Sequence, residues 1–122
     1  MAKNVKKTSV SAAAEEALAY ESIVETFKER VSKSKPPVDA RVAAQVKLFG
    51  AVEGILYVLI ANGIAVVEPF DYKGADIEID ADAETFIAVL QGKKTMSNAI
   101  SDGDVKMQGN AGKAIVLAAA VF

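Results

Sequence analysis

The stretch from Gly74 to Gly112 decides the fold: GADIEIDADAETFIAVLQGKKTMSNAISDGDVKMQGNAG. Its first part alternates. Ile77 and Ile79 fall on one side and Asp76, Glu78 and Asp80 on the other, which is the period of a half-buried strand. Asp82 then stands where a carboxylate can accept the unpaired N–H groups of a helix's first turn. That helix is expected to run through Gln91, with Phe86, Ile87 and Leu90 on one side. Gly92 follows, a residue that takes the left-handed turn closing a helix at no steric cost. Thr95–Ser101 reads as a short helix with Met96, Ala99 and Ile100 inward. Val105 and Met107 occupy the inner face of a further strand, and Asn110 caps a terminal helix running to Phe122.

Upstream, Ala44, Val46 and Leu48 alternate with Gln45 and Lys47, again a half-buried strand. Gly54–Ala61 and Ile64–Pro69 flank Asn62-Gly63, a pair that supplies the two positive φ angles of a type I′ hairpin turn. From Ser11 to Lys33 the pattern is helical. Ala13, Ala17, Tyr20, Val24, Phe27 and Val31 form one stripe, which Ile23 widens. Glu15, Glu16, Glu21, Glu25, Lys28, Glu29 and Arg30 occupy its other faces. Pro36 and Pro37 cannot continue a helix and end it. Residues 1–10 are polar and basic and read as a disordered arm, with residues 11–122 forming one domain. The order helix, three strands, a fourth strand, two helices, a fifth strand and a helix predicts an α+β fold. Its five-stranded, mainly antiparallel sheet is covered on one face by helices.

The 122 residues include neither Cys nor His. Disulfides and thiolate chemistry are excluded, as are the commonest general base near neutral pH and the commonest metal ligand. Fourteen basic and sixteen acidic side chains leave a net charge of −2, whereas a duplex nucleic-acid binder usually carries a basic surplus. The longest nearly uncharged run, Gly54–Val67, is too short to span a bilayer and contains the Asn-Gly turn. A soluble, cytoplasmic chain with no nucleic-acid partner and no transmembrane segment is expected.

Two polar constellations invite a chemical reading. Asp76, Glu78, Asp80, Asp82 and Glu84 form an acidic ladder, but it has neither the sharp Gly turn nor the distal Glu of an oxygen-rich calcium loop. A solvated strand face followed by a helix cap accounts for it. Gly109-Asn110-Ala111-Gly112-Lys113 sits at a strand-to-helix junction, where amides can hold a phosphate. Met107 stands where a phosphate loop needs its first Gly, and Ala114 where it needs Ser or Thr, so a turn and a cap are expected instead. No catalytic residue, metal site or cofactor is assigned, and an enzyme is not expected.

The apolar excess says more. Hydrophobic residues make up 52% of the chain. Ile55–Ile60 is apolar at both parities, so both faces of that strand need cover. Ala114–Phe122 carries no polar side chain, and a helix apolar all round must be enclosed or must face something apolar. Core packing, a partner subunit and a bound apolar ligand all satisfy these demands.

The ordered set of Ala75-Asp76-Ile77, Phe86 followed by Gly92-Lys93, Asn98-Ala99-Ile100 and Val105-Lys106-Met107-Gln108-Gly109-Asn110 resembles the type-two sterol carrier protein family. The likeness covers roughly Phe27–Phe122. It implies an apolar tunnel between sheet and helices, and a carrier of sterol, fatty acid, acyl-coenzyme A or phospholipid. Residues implied to line the tunnel are Phe86, Leu90, Met96, Ile100, Met107, Ile115 and Phe122. Two positions depart from the family pattern: Asp104, where Lys is usual, and Ile100, where an aromatic is common. The other reading is a non-catalytic dimerisation or accessory domain with a filled core. It would form a homodimer through the two-faced apolar strand or the long first helix.

Overall fold

The computed structural model describes residues 19–122. Helix α1 spans Tyr20–Ser32. Strands β1 (Val42–Phe49), β2 (Gly54–Ala61), β3 (Ile64–Glu68) and β4 (Ile77–Asp82) follow. Then come α2 (Ala83–Leu90), α3 (Met96–Ser101), β5 (Val105–Gly109) and α4 (Ala111–Val121). The expected arm over residues 1–10 and the expected first turns of the long helix, with Ala13 and Ala17, lie outside the described residues.

The five strands form one sheet in the order β3-β2-β1-β4-β5. Every neighbouring pair is antiparallel except β1 and β4, which are parallel. The α+β fold with a mainly antiparallel sheet is therefore as the sequence implies. Asn62 and Gly63 take φ of 57° and 77°, the left-handed pair that a two-residue hairpin turn requires.

One face of the sheet carries Val46, Leu56, Val58, Ile60, Ile77 and Ile79, all fully buried. Ile23, Phe27, Phe86 and Leu117 of the helices reach it and are buried as completely. Ile23 thus sits at the centre of the α1 stripe. Phe27 meets Phe86 edge to face, with ring centroids 5.4 Å apart, an arrangement that adds to the burial of each ring. Gly54 makes room for α1: a Cβ there would lie 2.5 Å from the Tyr20 ring, whose hydroxyl donates to the Ile55 carbonyl. Burial, with a smaller push from neighbouring Glu21, raises the Tyr20 pKa above the ordinary tyrosine value.

On the opposite face lie Ile55, Tyr57 and Leu59 of β2, all half-buried. The connection before β4 lies over part of this face. Tyr72 packs edge to face on Tyr57 at 5.0 Å, its backbone N–H donates to Gln45 Oε1 at 2.8 Å, and Arg41 donates to its hydroxyl. The apolar run in β2 is thus buried on its helix face and partly covered on the other, where Tyr72 lies on Tyr57. β2 lies between β3 and β1 in the sheet.

The junction of β4, β5 and α4 explains much of the Gly74–Gly112 sequence. Asp76 Oδ2 accepts the Ala43 N–H at 2.9 Å, and its Oδ1 accepts from Lys113 Nζ at 3.1 Å. Asn110 donates its N–H to the Asp76 carbonyl and caps α4 by accepting the Lys113 N–H at 3.0 Å. Gly109, at φ 128°, passes so close that a Cβ would fall on the Asp76 carbonyl oxygen. The Gly109–Lys113 segment is thus a strand crossing and a helix cap. The Ala43 N–H bond, chief among the causes, and the Lys113 ammonium hold the Asp76 pKa below the usual carboxylate value.

Candidate functional site

At one end of the helical layer, α1 meets the C-terminal ends of α2 and α4. A groove of about 560 Å³ opens there, among Thr26, Arg30, Leu90, Ala120, Val121 and Phe122. Half-buried Arg30 stands in it. Its Nε donates to the Val121 carbonyl at 2.8 Å, Nη1 to the Leu90 carbonyl at 3.0 Å and Nη2 to the Phe122 carbonyl at 3.1 Å. The last carbonyls of a helix have no partner within it and carry partial negative charge, so a guanidinium is matched to them in both hydrogen bonding and sign. One planar group thereby fastens α1 to two helix ends. Glu29, Lys33, Ser34 and Gln91 line the groove as well, so its wall mixes polar and apolar side chains. Phe122 stacks on Phe27 at 5.7 Å and meets Phe86 edge to face at 6.1 Å, so the groove adjoins the aromatic centre of the core.

The seven expected lining residues separate into three sets. Phe86, Leu90 and Met96 are buried in the core. Met107 and Phe122 are half-buried and pack against it, and Leu90 and Phe122 also border the groove. Ile100 and Ile115 face solvent, 42% and 70% exposed. Ile100 was expected inward with Met96 and Ala99. A single-and-a-half-turn helix buries only the side it lays on the sheet, and Met96 and Ala99 take that side. Ile115 shows that α4, apolar all round, buries mainly Leu117 and Val121. Among the described residues the enclosed tunnel implied by the family likeness is not seen. The space between sheet and helices is occupied by side chains, and the recess opens at the helix ends.

Sequence reasoning placed Arg30 among the solvated charges of the first helix. Its role depends on two helix ends that are 60 and 91 residues away in the chain, and no local pattern announces it. The departure at Asp104 also has a structural setting. Lys94 Nζ lies 2.7 Å from Asp102 and 3.7 Å from Asp104, and the hydrogen bond to Asp102 leads the causes that raise the Lys94 pKa.

A second recess, of about 340 Å³, lies on the other face of the sheet among Lys47, Phe49, Asp80, Gly103 and Lys106. Among the described residues no three potential His, Cys, Asp or Glu ligands gather closely enough to hold a metal ion. No helix among them is long and apolar enough to cross a membrane.

The chain is thus a small α+β domain with an apolar interior and a groove at its helix ends that Phe122 borders. The family model of the SCP-2 sterol transfer family matches residues 24–121, and the chain belongs to that family. No curated protein matches the chain at a significant level. Among solved structures, the chain is similar to Sterol Carrier Protein 2 Like 2 from Aedes aegypti. Identity is 22%, the match covers 81% of this chain and 93% of that one, and the TM-score is 0.63. The solution structure of the palmitated mosquito protein gives 21%, 82%, 91% and 0.66 for the same quantities. A double mutant of the sec-alkyl sulfatase PisA1 is also similar, with 15% identity and a TM-score of 0.64. There the match covers 88% of this chain but 17% of the sulfatase, so the same fold also occurs as a small part of an enzyme.

Proposed function

We propose that this protein is a non-catalytic lipid carrier that takes a sterol, a fatty acyl chain or another apolar molecule between its sheet and its helices. The observation that carries the reading is the contact of the groove with the Phe27–Phe86–Phe122 cluster. A ligand sliding inward from the groove would displace Phe122 and meet Phe86, Leu90, Met96 and Met107. Ile100 and Ile115 drop out of the lining, because they face water. Burial of apolar area, worth about 25 cal/mol per Å², drives such binding with little directed chemistry. The groove volume falls within the range of roughly 300–1,000 Å³ common to small-molecule sites. Arg30 makes three of the five hydrogen bonds a guanidinium can donate, so its remaining donors suit the carboxylate of a fatty acid at the groove.

The test is uptake of a fluorescent fatty acid, together with native mass spectrometry of protein purified from its own host. Stoichiometric uptake is expected, and Ala120→Trp, at a half-buried position lining the groove, abolishes it. A host-purified protein that carries no apolar molecule and takes up no probe refutes the proposal. It would leave the reading of an accessory domain with a filled core.

A further inference from the structure

The three hydrogen bonds of Arg30 are not equivalent. Nε and Nη2 form the edge of the guanidinium whose two N–H bonds run parallel, the edge that grips a carboxylate with one oxygen on each nitrogen. Two successive carbonyls occupy it here, Val121 at 2.8 Å and Phe122 at 3.1 Å. The end of α4 thus stands where the two oxygens of a carboxylate would fit. Nη1 serves the other helix, at the Leu90 carbonyl.

The two helices are held unequally. α2 buries five of its eight residues: Ala83, Phe86, Ile87, Val89 and Leu90. α4 buries two of its eleven, Leu117 and Val121. The start of α4 is tied down, since Asn110 donates its N–H to the Asp76 carbonyl and Lys113 bonds the Asp76 carboxylate. Its other end is held by the parallel edge of Arg30 and by the half-buried Phe122 ring, which covers Phe27 and meets Phe86. Glu29, the acid among the residues lining the groove, is met by Lys33 at 3.5 Å.

We infer that the end of α4 is a latch that a lipid carboxylate opens. The inference rests on the carrier reading above and narrows it. A carboxylate in the groove takes the Nε–Nη2 edge from the two carbonyls, because a charged acceptor bonds a guanidinium about twice as strongly as a neutral one. The freed Val121 and Phe122 carbonyls face the open groove, where water satisfies them. α4 then swings about its tied start and Phe122 leaves Phe27. The ligand's chain replaces the ring against Phe27 and Phe86. The Leu90 bond is untouched, so α2 stays in place. A sterol hydroxyl is a single neutral oxygen and cannot replace two carbonyls on that edge. The site therefore favours the fatty acid over the sterol.

Decanoate and decan-1-ol share a chain and differ in the polar end. Each is titrated into the native chain by calorimetry, and hydrogen exchange is followed with each present at saturation. Decanoate is expected to bind at least roughly ten-fold more tightly than the alcohol. It also speeds exchange of the amides in the last turn of α4 by at least roughly ten-fold, while the end of α2 keeps its protection. In Arg30→Gln, which lacks the paired donors, the preference for decanoate is lost. The exchange measurement on the native chain needs no variant and stands even where Arg30→Gln folds poorly. Equal affinity for the acid and the alcohol, an α4 end that exchanges no faster with decanoate bound, or a preference that survives in Arg30→Gln would each overturn the latch alone. Binding of neither compound would overturn the carrier reading, and the latch with it.

Discussion

Replacing Arg30 by Met keeps most of the aliphatic stem and removes all three hydrogen bonds to the ends of α2 and α4. Hydrogen bonds from a charged group contribute about 1.5–3 kcal/mol each when fully protected. The groove is open to water, which can rehydrate the freed Leu90, Val121 and Phe122 carbonyls. A loss of about 1 kcal/mol per bond, or ~2–3 kcal/mol in all, is therefore expected. For a domain of this size that lowers Tm by at least roughly 8 °C. The loss should be uneven. α4 buries chiefly Leu117 and Val121, so it depends more on Arg30 than the sheet does. Hydrogen exchange is the discriminating assay. Amides of α4 lose protection in Arg30→Met by more than the global destabilisation explains, while β1 and β4 follow the global change. Arg30→Lys, a single ammonium that cannot reach three carbonyls together, restores only part. If α4 keeps its native protection in Arg30→Met, the guanidinium does not fasten the helices and the reasoning fails.

Other outcomes follow from the same contacts. Asp76→Asn is expected to destabilise by about 1.5–3 kcal/mol at neutral pH, because the Ala43 N–H and Lys113 lose a charged acceptor. The folded-state pKa of Asp76 is depressed, so its contribution is present above the unfolded value and is lost as pH falls through the folded one. The difference in melting temperature between native and Asp76→Asn should therefore shrink on acidification below about pH 4. A difference that persists unchanged in acid would contradict this. Gly109→Ala places a Cβ on the Asp76 carbonyl at a φ that L-residues rarely adopt, and a cost of at least ~1–3 kcal/mol is expected in urea unfolding. Phe122→Ala removes a half-buried ring that stacks on Phe27 and should cost about 1–3 kcal/mol, less than a fully buried Phe. Stopped-flow measurements should show faster uptake of a fluorescent fatty acid by this variant. An unchanged rate would mean that Phe122 does not stand in the ligand's path.

Much of the fold was legible because short-range signals agreed. Alternation marked β1 and β4, Asn62-Gly63 set the hairpin, and Asp82 and Asn110 cap their helices as their positions suggested. Each of these depends on residues a few positions apart. The exposure of Ile100 and Ile115 was not legible, since an apolar side chain on a short or all-apolar helix does not reveal which side the sheet will cover. Asp76 looked like part of a solvated ladder, yet its carboxylate ties β1 to α4, a link visible only once β1 and β4 are parallel neighbours.

By itself, then, the sequence determined the kinds of element, their order and the one-sided apolar character of β1 and β4, because backbone preferences and the two hydrophobic periods act locally. Tertiary structure alone decided the site. Arg30 became a clamp because two helix ends arrived beside it, and Phe122 became the floor of a groove because Phe27 and Phe86 were already joined there. Tertiary pairing also left β3 at the edge while placing the more apolar β2 inside the sheet, since which strand lies outermost is set by sheet order and not by any strand's own composition.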